Sequence, residues 1–188
     1  MSFLTFPQEL KQATAISHQE LEDLAISKSL LSADVEITDY LNYLQSMEDI
    51  IVDVENQVFP YLENEISQLN ERRKVGLIAK DLAVLNSQKR NPISTDIWVP
   101  GATKGFAMGI FYVIEGSSLG GRVIYKHVQK KLGLDAENGA AFFYGYAENT
   151  GTFWKEFLMQ LVSFEEQNGA GSQIIAGANH AFEAIKRR

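Results

Sequence analysis

His18, His127 and His180 are the only side chains of this 188-residue chain that could bind a transition metal through imidazole, and there is no cysteine to bind one through sulfur. His18 has the company such a role needs. Glu22 follows one helical turn on, where a carboxylate can hold the imidazole N–H that faces away from a ligand and fix the ring's tautomer and direction. Lys11 precedes it by two turns, about 10.5 Å along the same face, within reach of the charged edge of a large anionic ligand. Taken singly, each has a plainer reading. A lone helical histidine is more often packed or solvated than ligating, and Lys11 alone is a solvated surface lysine. Multi-histidine metal chemistry does not fit: the positions three before each histidine are Ala15, Ile124 and Gly177, so Glu-x-x-His is absent, as is His-Glu-x-x-His.

The second chemical signal is a lack of side chains. Gly116-Ser117-Ser118-Leu119-Gly120-Gly121 interrupts an apolar, helix-patterned run from Phe106 to Leu132. A mid-helix glycine costs about 1 kcal/mol relative to alanine, so this cluster needs a reason. Gly116 and Gly120 share a face about 6 Å apart along the axis, and Gly121 broadens that face and invites a kink. A bared face admits either a neighbouring backbone or a flat, bulky ligand. One imidazole, no thiolate and a glycine-bared helix suit a planar macrocycle better than a bare ion.

The elements that must position these residues read almost entirely at helical period. Leu4 to Ala25 carries apolar residues at Leu10, Ala13, Ile16, Leu21 and Leu24. Thr38 is the expected N-cap of a helix through Tyr40, Leu44, Met47, Ile51, Val54 and Val58, ended by Pro60. A third helix is expected over Glu63–Leu85, followed by a loop of about fifteen residues marked by Asn91-Pro92 and Pro100-Gly101. After the glycine-interrupted helix, closed by Gly133 to Gly139, Asn149 or Thr150 caps a helix over Phe153–Glu166. Gly169 to Gly171 separates a last helix ending at Arg188. Ala140–Tyr146 is the one stretch that reads as a strand. The expectation is a single all-α domain, residues 1–188, of about six to eight helices.

Composition narrows the partners. With 45% hydrophobic residues the chain can build one core, and a net charge of -7 without a basic stripe argues against nucleic acid. Any anionic ligand must therefore be held by local cations. No apolar run is long enough to span a bilayer and no signal peptide is recognisable, so the expectation is a cytoplasmic protein with no membrane partner.

Leu10-Lys11-Gln12-Ala13-Thr14 through His18 and Glu22 resembles the proximal helix of the haem oxygenases, and Gly116 to Gly121, continuing as Arg122-Val123-Ile124, resembles their distal helix. Leu132-Gly133-Leu134 and Gly139-Ala140-Ala141-Phe142-Phe143 resemble the segment that follows. The matches keep the family's order and spacing over nearly the whole chain. Tyr112-Val113-Ile114-Glu115-Gly116-Ser117 is most similar to bacterial members, including those associated with phytochrome chromophore supply.

The resemblance implies a multi-helix haem oxygenase-like bundle with a glycine-kinked distal helix. It implies haem (iron protoporphyrin IX) as both cofactor and substrate, cleaved to biliverdin, CO and ferrous iron with O2 and external electrons. The chain carries no flavin or nicotinamide fingerprint, so a separate reductase or ferredoxin-like protein is the expected donor. By resemblance His18 is the proximal iron ligand and Glu22 its hydrogen-bond partner. Thr14 belongs to the same haem-binding segment, and Lys11 and Lys155 match basic residues near the propionates. Gly116 and Gly120 cross the distal face, with Gly121 beside them. Two positions depart from the family. Met159 stands where a further cation is expected, leaving Lys126, Lys130 or Arg122 to substitute. Ser117 stands where many members carry an aspartate that orders water, so ordering falls to its uncharged hydroxyl, to carbonyls freed by the kink and to waters. The alternatives are a non-catalytic haem carrier or sensor of the same fold, and a helical interaction protein that binds no haem.

Overall fold

In the computed structural model, which describes residues 5–87 and 90–188, helices account for all regular structure and no strand is formed among the described residues. α1 (Phe6–Glu22) starts at Thr5, whose backbone N–H donates to Gln8 Oε1 at 2.9 Å. Leu4, its expected first residue, lies outside the described residues. A turn at Asp23 and Leu24 splits off α2 (Ala25–Leu30). α3 (Ile37–Asp53) is capped by Glu36 rather than Thr38, because Asp39 reaches back to the Glu36 N–H at 2.9 Å.

Pro60 does not end that helix. The chain widens into a π-helical turn, Val54–Val58, and continues as α4 (Phe59–Leu62); the widened turn accommodates a residue that has no N–H to give. The helix expected over Glu63–Leu85 forms only in its second half. Gln68 adopts a left-handed conformation (φ 55°), Leu69–Arg72 make a 3-10 turn, and α5 (Val75–Val84) follows. What holds the start of α5 is distant in sequence: Glu55 on the π turn accepts the Lys74 and Val75 N–H groups at 2.5 and 2.9 Å. The loop after α5 is pinned by buried carboxylates of α3. Asp49 accepts Ile93 N–H at 2.8 Å, and Asp53 accepts the Thr95 hydroxyl at 2.8 Å.

α6 (Lys104–Leu132) is one continuous helix through all the glycines, closed by Gly133 in the left-handed region (φ 70°). The kink expected at Gly121 does not appear as a break, since glycine weakens a helix without removing a backbone hydrogen bond. The segment expected as a strand is a helical turn, α7 (Ala141–Tyr144). Buried Asp81 accepts the Ala141 and Phe142 N–H groups, both at 2.8 Å, and so supplies a helix cap invisible to local pattern. α8 (Thr150–Asn168) ends at left-handed Gly169, and α9 (Gly171–Lys186) completes the chain.

Two glycines outside the flagged cluster set the architecture. A Cβ on Gly109 would lie 2.0 Å from the Ile174 carbonyl oxygen, and one on Gly177 would lie 2.1 Å from that of Phe106. α6 and α9 therefore pack backbone on backbone. α9 also lies along α1, and α8 packs on α6 while touching α1, so α1 is held beside α6 through these two helices. Leu10, Leu44, Ile50, Phe111, Phe157, Leu161 and Ile174 meet in one apolar core.

Candidate functional site

α1 buries Leu10 and Thr14 and turns His18, Lys11 and Glu22 outward. The Thr14 hydroxyl donates to the Leu10 carbonyl at 2.8 Å and also lies against the phenol of Tyr112 on α6. Burial pushes that phenol's pKa up, and the Thr14 hydroxyl draws it partly back. One turn along α1 from this contact stands His18; one turn along α6 stands Gly116. The contact thus marks where the two helices that carry the candidate residues approach.

The three histidines separate cleanly. His127 and His180 each commit Nε2 to a backbone carbonyl, that of Ser32 at 2.9 Å and that of Asp96 at 2.7 Å. The His18 ring meets Phe182 of α9 edge-on at 5.7 Å, and its Nδ1 lies 3.7 Å from Glu22 Oε1. That separation is beyond a hydrogen bond but within reach of a small side-chain rotation. Among the described residues nothing takes a hydrogen bond from or gives one to His18, and its side chain is 58% exposed. Lys11 and Lys155 are also exposed, and neither is paired with a carboxylate among the described residues. Of the substitute cations, Arg122 lies over the Tyr144 ring at 5.7 Å, while Lys126 and Lys130 are exposed.

On α6 the flagged glycines differ from the packing glycines. A Cβ on Gly120 would meet nothing within 4 Å. One on Gly116 would make ordinary contact with the Trp154 ring at 3.4 Å, and one on Gly121 with Phe143 at 3.5 Å. Gly121 is buried, with the Phe143 carbonyl oxygen 3.7 Å from such a Cβ, so it is at Gly116 and Gly120 that no neighbouring backbone among the described residues claims the face. Its bareness is not explained by helix packing, and it fits a flat group laid across it. The Ser117 hydroxyl donates to the Ile114 carbonyl at 2.7 Å, which leaves its lone pairs to accept from water or ligand.

Behind this face lies a polar network that local patterning does not disclose. Arg72 and Glu115, both about 1% exposed, form a buried ion pair. Tyr146 donates to the other Glu115 oxygen at 2.9 Å, and burial first, then the Glu115 charge, pushes its pKa up. The Arg72 guanidinium also lies over Phe153, whose ring stacks on Tyr146 at 4.3 Å. Buried Lys74 reaches Ser118 Oγ at 2.6 Å. A carboxylate inside an apolar helix, Glu115, and the cationic run Arg72-Arg73-Lys74 were the available signals, but their pairing across 43 residues was not. Among the described residues no cluster of three or more metal-binding side chains could hold a bare ion, and no helix is long and apolar enough to cross a membrane.

The Heme oxygenase family model matches residues 4–187. A heme oxygenase of Xanthomonas campestris pv. campestris (strain 8004) is 28% identical over 159 residues, covering 84% of this chain and 90% of the relative. The NO- and CO-bound heme oxygenase of Neisseria meningitidis superposes with a TM-score of 0.81 at 26% identity, covering 98% of this chain and 90% of that one. The heme oxygenase of Leptospira interrogans, at 17% identity, shares the fold, with a TM-score of 0.78 and 98% of each chain covered.

Proposed function

This chain belongs to the haem oxygenase family, and on that premise we propose that it cleaves haem to biliverdin, CO and ferrous iron, using O2 and electrons from a separate reductase or ferredoxin-like protein. One observation supports this most: the single histidine without a hydrogen bond stands one turn from the Thr14–Tyr112 contact, and the helix across that contact carries a bare face with no packing partner at Gly120.

When bound, haem supplies the iron that activates oxygen and the ring that is cut. The chain's own part is to bind, orient and exclude. His18 would offer Nε2 to the iron, and Glu22 would accept a hydrogen bond from Nδ1–H, which fixes the tautomer and keeps the imidazole a neutral donor. Lys11 and Lys155 would meet the propionates, supplying positive charge locally in a chain of net charge -7. Gly116, Gly120 and Gly121 would let a flat ring approach the α6 backbone, with Trp154 beside Gly116. Ser117 accepts from an ordered water while its proton rests on the Ile114 carbonyl. The half-buried phenol of Tyr112 stands beside Thr14, where the two helices approach.

The test is a single-turnover experiment on the haem-loaded chain. Reductant in air should convert the Soret band into bilin absorption with a stoichiometric yield. Intact haem after many equivalents of reductant would make the chain a carrier or sensor.

A further inference from the structure

Lys74 is a buried cation with no carboxylate within 4.0 Å of its Nζ among the described residues, an expensive arrangement that an apolar side chain would avoid. Its surroundings are built around it. Glu55, set by the π turn Val54–Val58, accepts the Lys74 N–H at 2.5 Å and fixes the backbone. The Tyr146 ring lies 5.2 Å from Nζ. Nζ itself reaches two groups of α6: Ser118 Oγ at 2.6 Å and the Ile114 carbonyl at 3.4 Å. The charged groups around it are Glu115, Arg72 and Glu55, and burial is the largest influence, lowering its pKa from the ordinary lysine value.

The Ile114 carbonyl is therefore oversubscribed. It lies within α6, where the helical ladder brings it the Ser118 N–H, and it also accepts the Ser117 hydroxyl at 2.7 Å and faces the Lys74 ammonium. A carbonyl oxygen has two lone pairs for these three donors. The short bond is the hydroxyl's, so the ammonium, whose own short bond goes to Ser118, steadies this carbonyl without displacing Ser117.

We propose that Lys74 is a positioning residue for the distal helix: its ammonium holds Ser118 and the Ile114 carbonyl, and that carbonyl keeps the Ser117 hydroxyl turned so that its lone pairs face the ligand side and hold a hydrogen-bonding water there. This rests on the haem reading of the site. Lys74 touches neither haem nor substrate and acts only through Ile114 and Ser117.

The C–O stretch of the ferrous haem complex with carbon monoxide reads a hydrogen-bond donor on the ligand side directly, apart from turnover. Lys74→Met should move that stretch to higher wavenumber, as should Ser117→Ala, and the double variant should move no further than either single one. Turnover of Lys74→Met should fall about five-fold, the size of one lost hydrogen bond. Lys74→Gln, which keeps the side chain's polarity without its charge, should shift the stretch in the same direction and serves where methionine impairs folding. A stretch unmoved in both Lys74 variants, or shifts that add in the double variant, overturns the inference. If the wild type takes up haem and only the Lys74 effect is missing, the haem reading stands and this inference alone falls. A wild type that takes up no haem overturns both.

Discussion

Replacing Gly120 by alanine should make the empty chain more stable and the haem-binding chain worse. The two effects come from the same fact. A Cβ at Gly120 meets no atom within 4 Å, so the folded protein pays no steric penalty. Alanine then recovers the helix propensity that glycine gives up, about 0.8–1 kcal/mol in a helix interior. For a chain of this size that is a rise in Tm of about 2–4 °C. The same methyl group projects from the face on which we propose the macrocycle lies, and overpacking there of about 1–3 kcal/mol should weaken haem binding roughly 5- to 150-fold. Gly109→Ala is the internal contrast. Its Cβ would sit 2.0 Å from a backbone oxygen of α9 that cannot rotate away. It should cost about 3 kcal/mol or more and lower Tm by roughly 6–12 °C. Thermal melts followed by far-ultraviolet circular dichroism on the haem-free chain, with haem titrations of the same samples, read both effects. A destabilised Gly120→Ala would mean that this face is packed. A stabilised variant with undiminished haem binding and turnover would mean that the bare face serves something else.

Glu115→Gln should strand the Arg72 guanidinium inside the protein and cost about 3–5 kcal/mol, seen as a Tm lower by roughly 6–20 °C; a near-neutral variant would show that water reaches this pair. The Lys11→Ala, Lys155→Ala double variant should lose only modest haem affinity, since exposed ion pairs supply about 0–1 kcal/mol each, while changing the ratio of biliverdin isomers; unchanged affinity and ratio would remove both lysines from the site. Burial holds the Lys74 pKa below its ordinary value of 10.5, so between the two values the unfolded chain binds more protons and stability rises with pH. Lys74→Met removes that cost. The variant should gain most relative to wild type at neutral pH and lose its advantage as pH climbs toward 10.5; a difference independent of pH would mean the ammonium is not desolvated.

The helices and the two chemical signals were legible because they depend on local spacing. Apolar period marks α1, α3, α6, α8 and α9, and Gly133 and Gly169 end their helices in the left-handed conformation that favours glycine. The failures share a cause. Asp81 turns Ala140–Tyr146 into a helical turn, and Glu55 delays α5 to Val75, each through a carboxylate from elsewhere in the chain. The glycine cluster was seen, but the glycines that seat α6 on α9 are Gly109 and Gly177, which look unremarkable in sequence. Thr14 was implied only by resemblance; its contact with Tyr112, where the two site helices approach, required the fold. Trp154 over Gly116 and Lys74 behind Ser118 were out of reach for the same reason.

The central claim is that haem is held through His18, and a haem titration of the wild type beside His18→Ala, His127→Ala and His180→Ala tests it most directly. The account predicts that only His18→Ala loses the Soret and visible features of a histidine-ligated haem, with partial recovery on adding imidazole. Loss of those features in His127→Ala or His180→Ala, with His18→Ala unaffected, would contradict it.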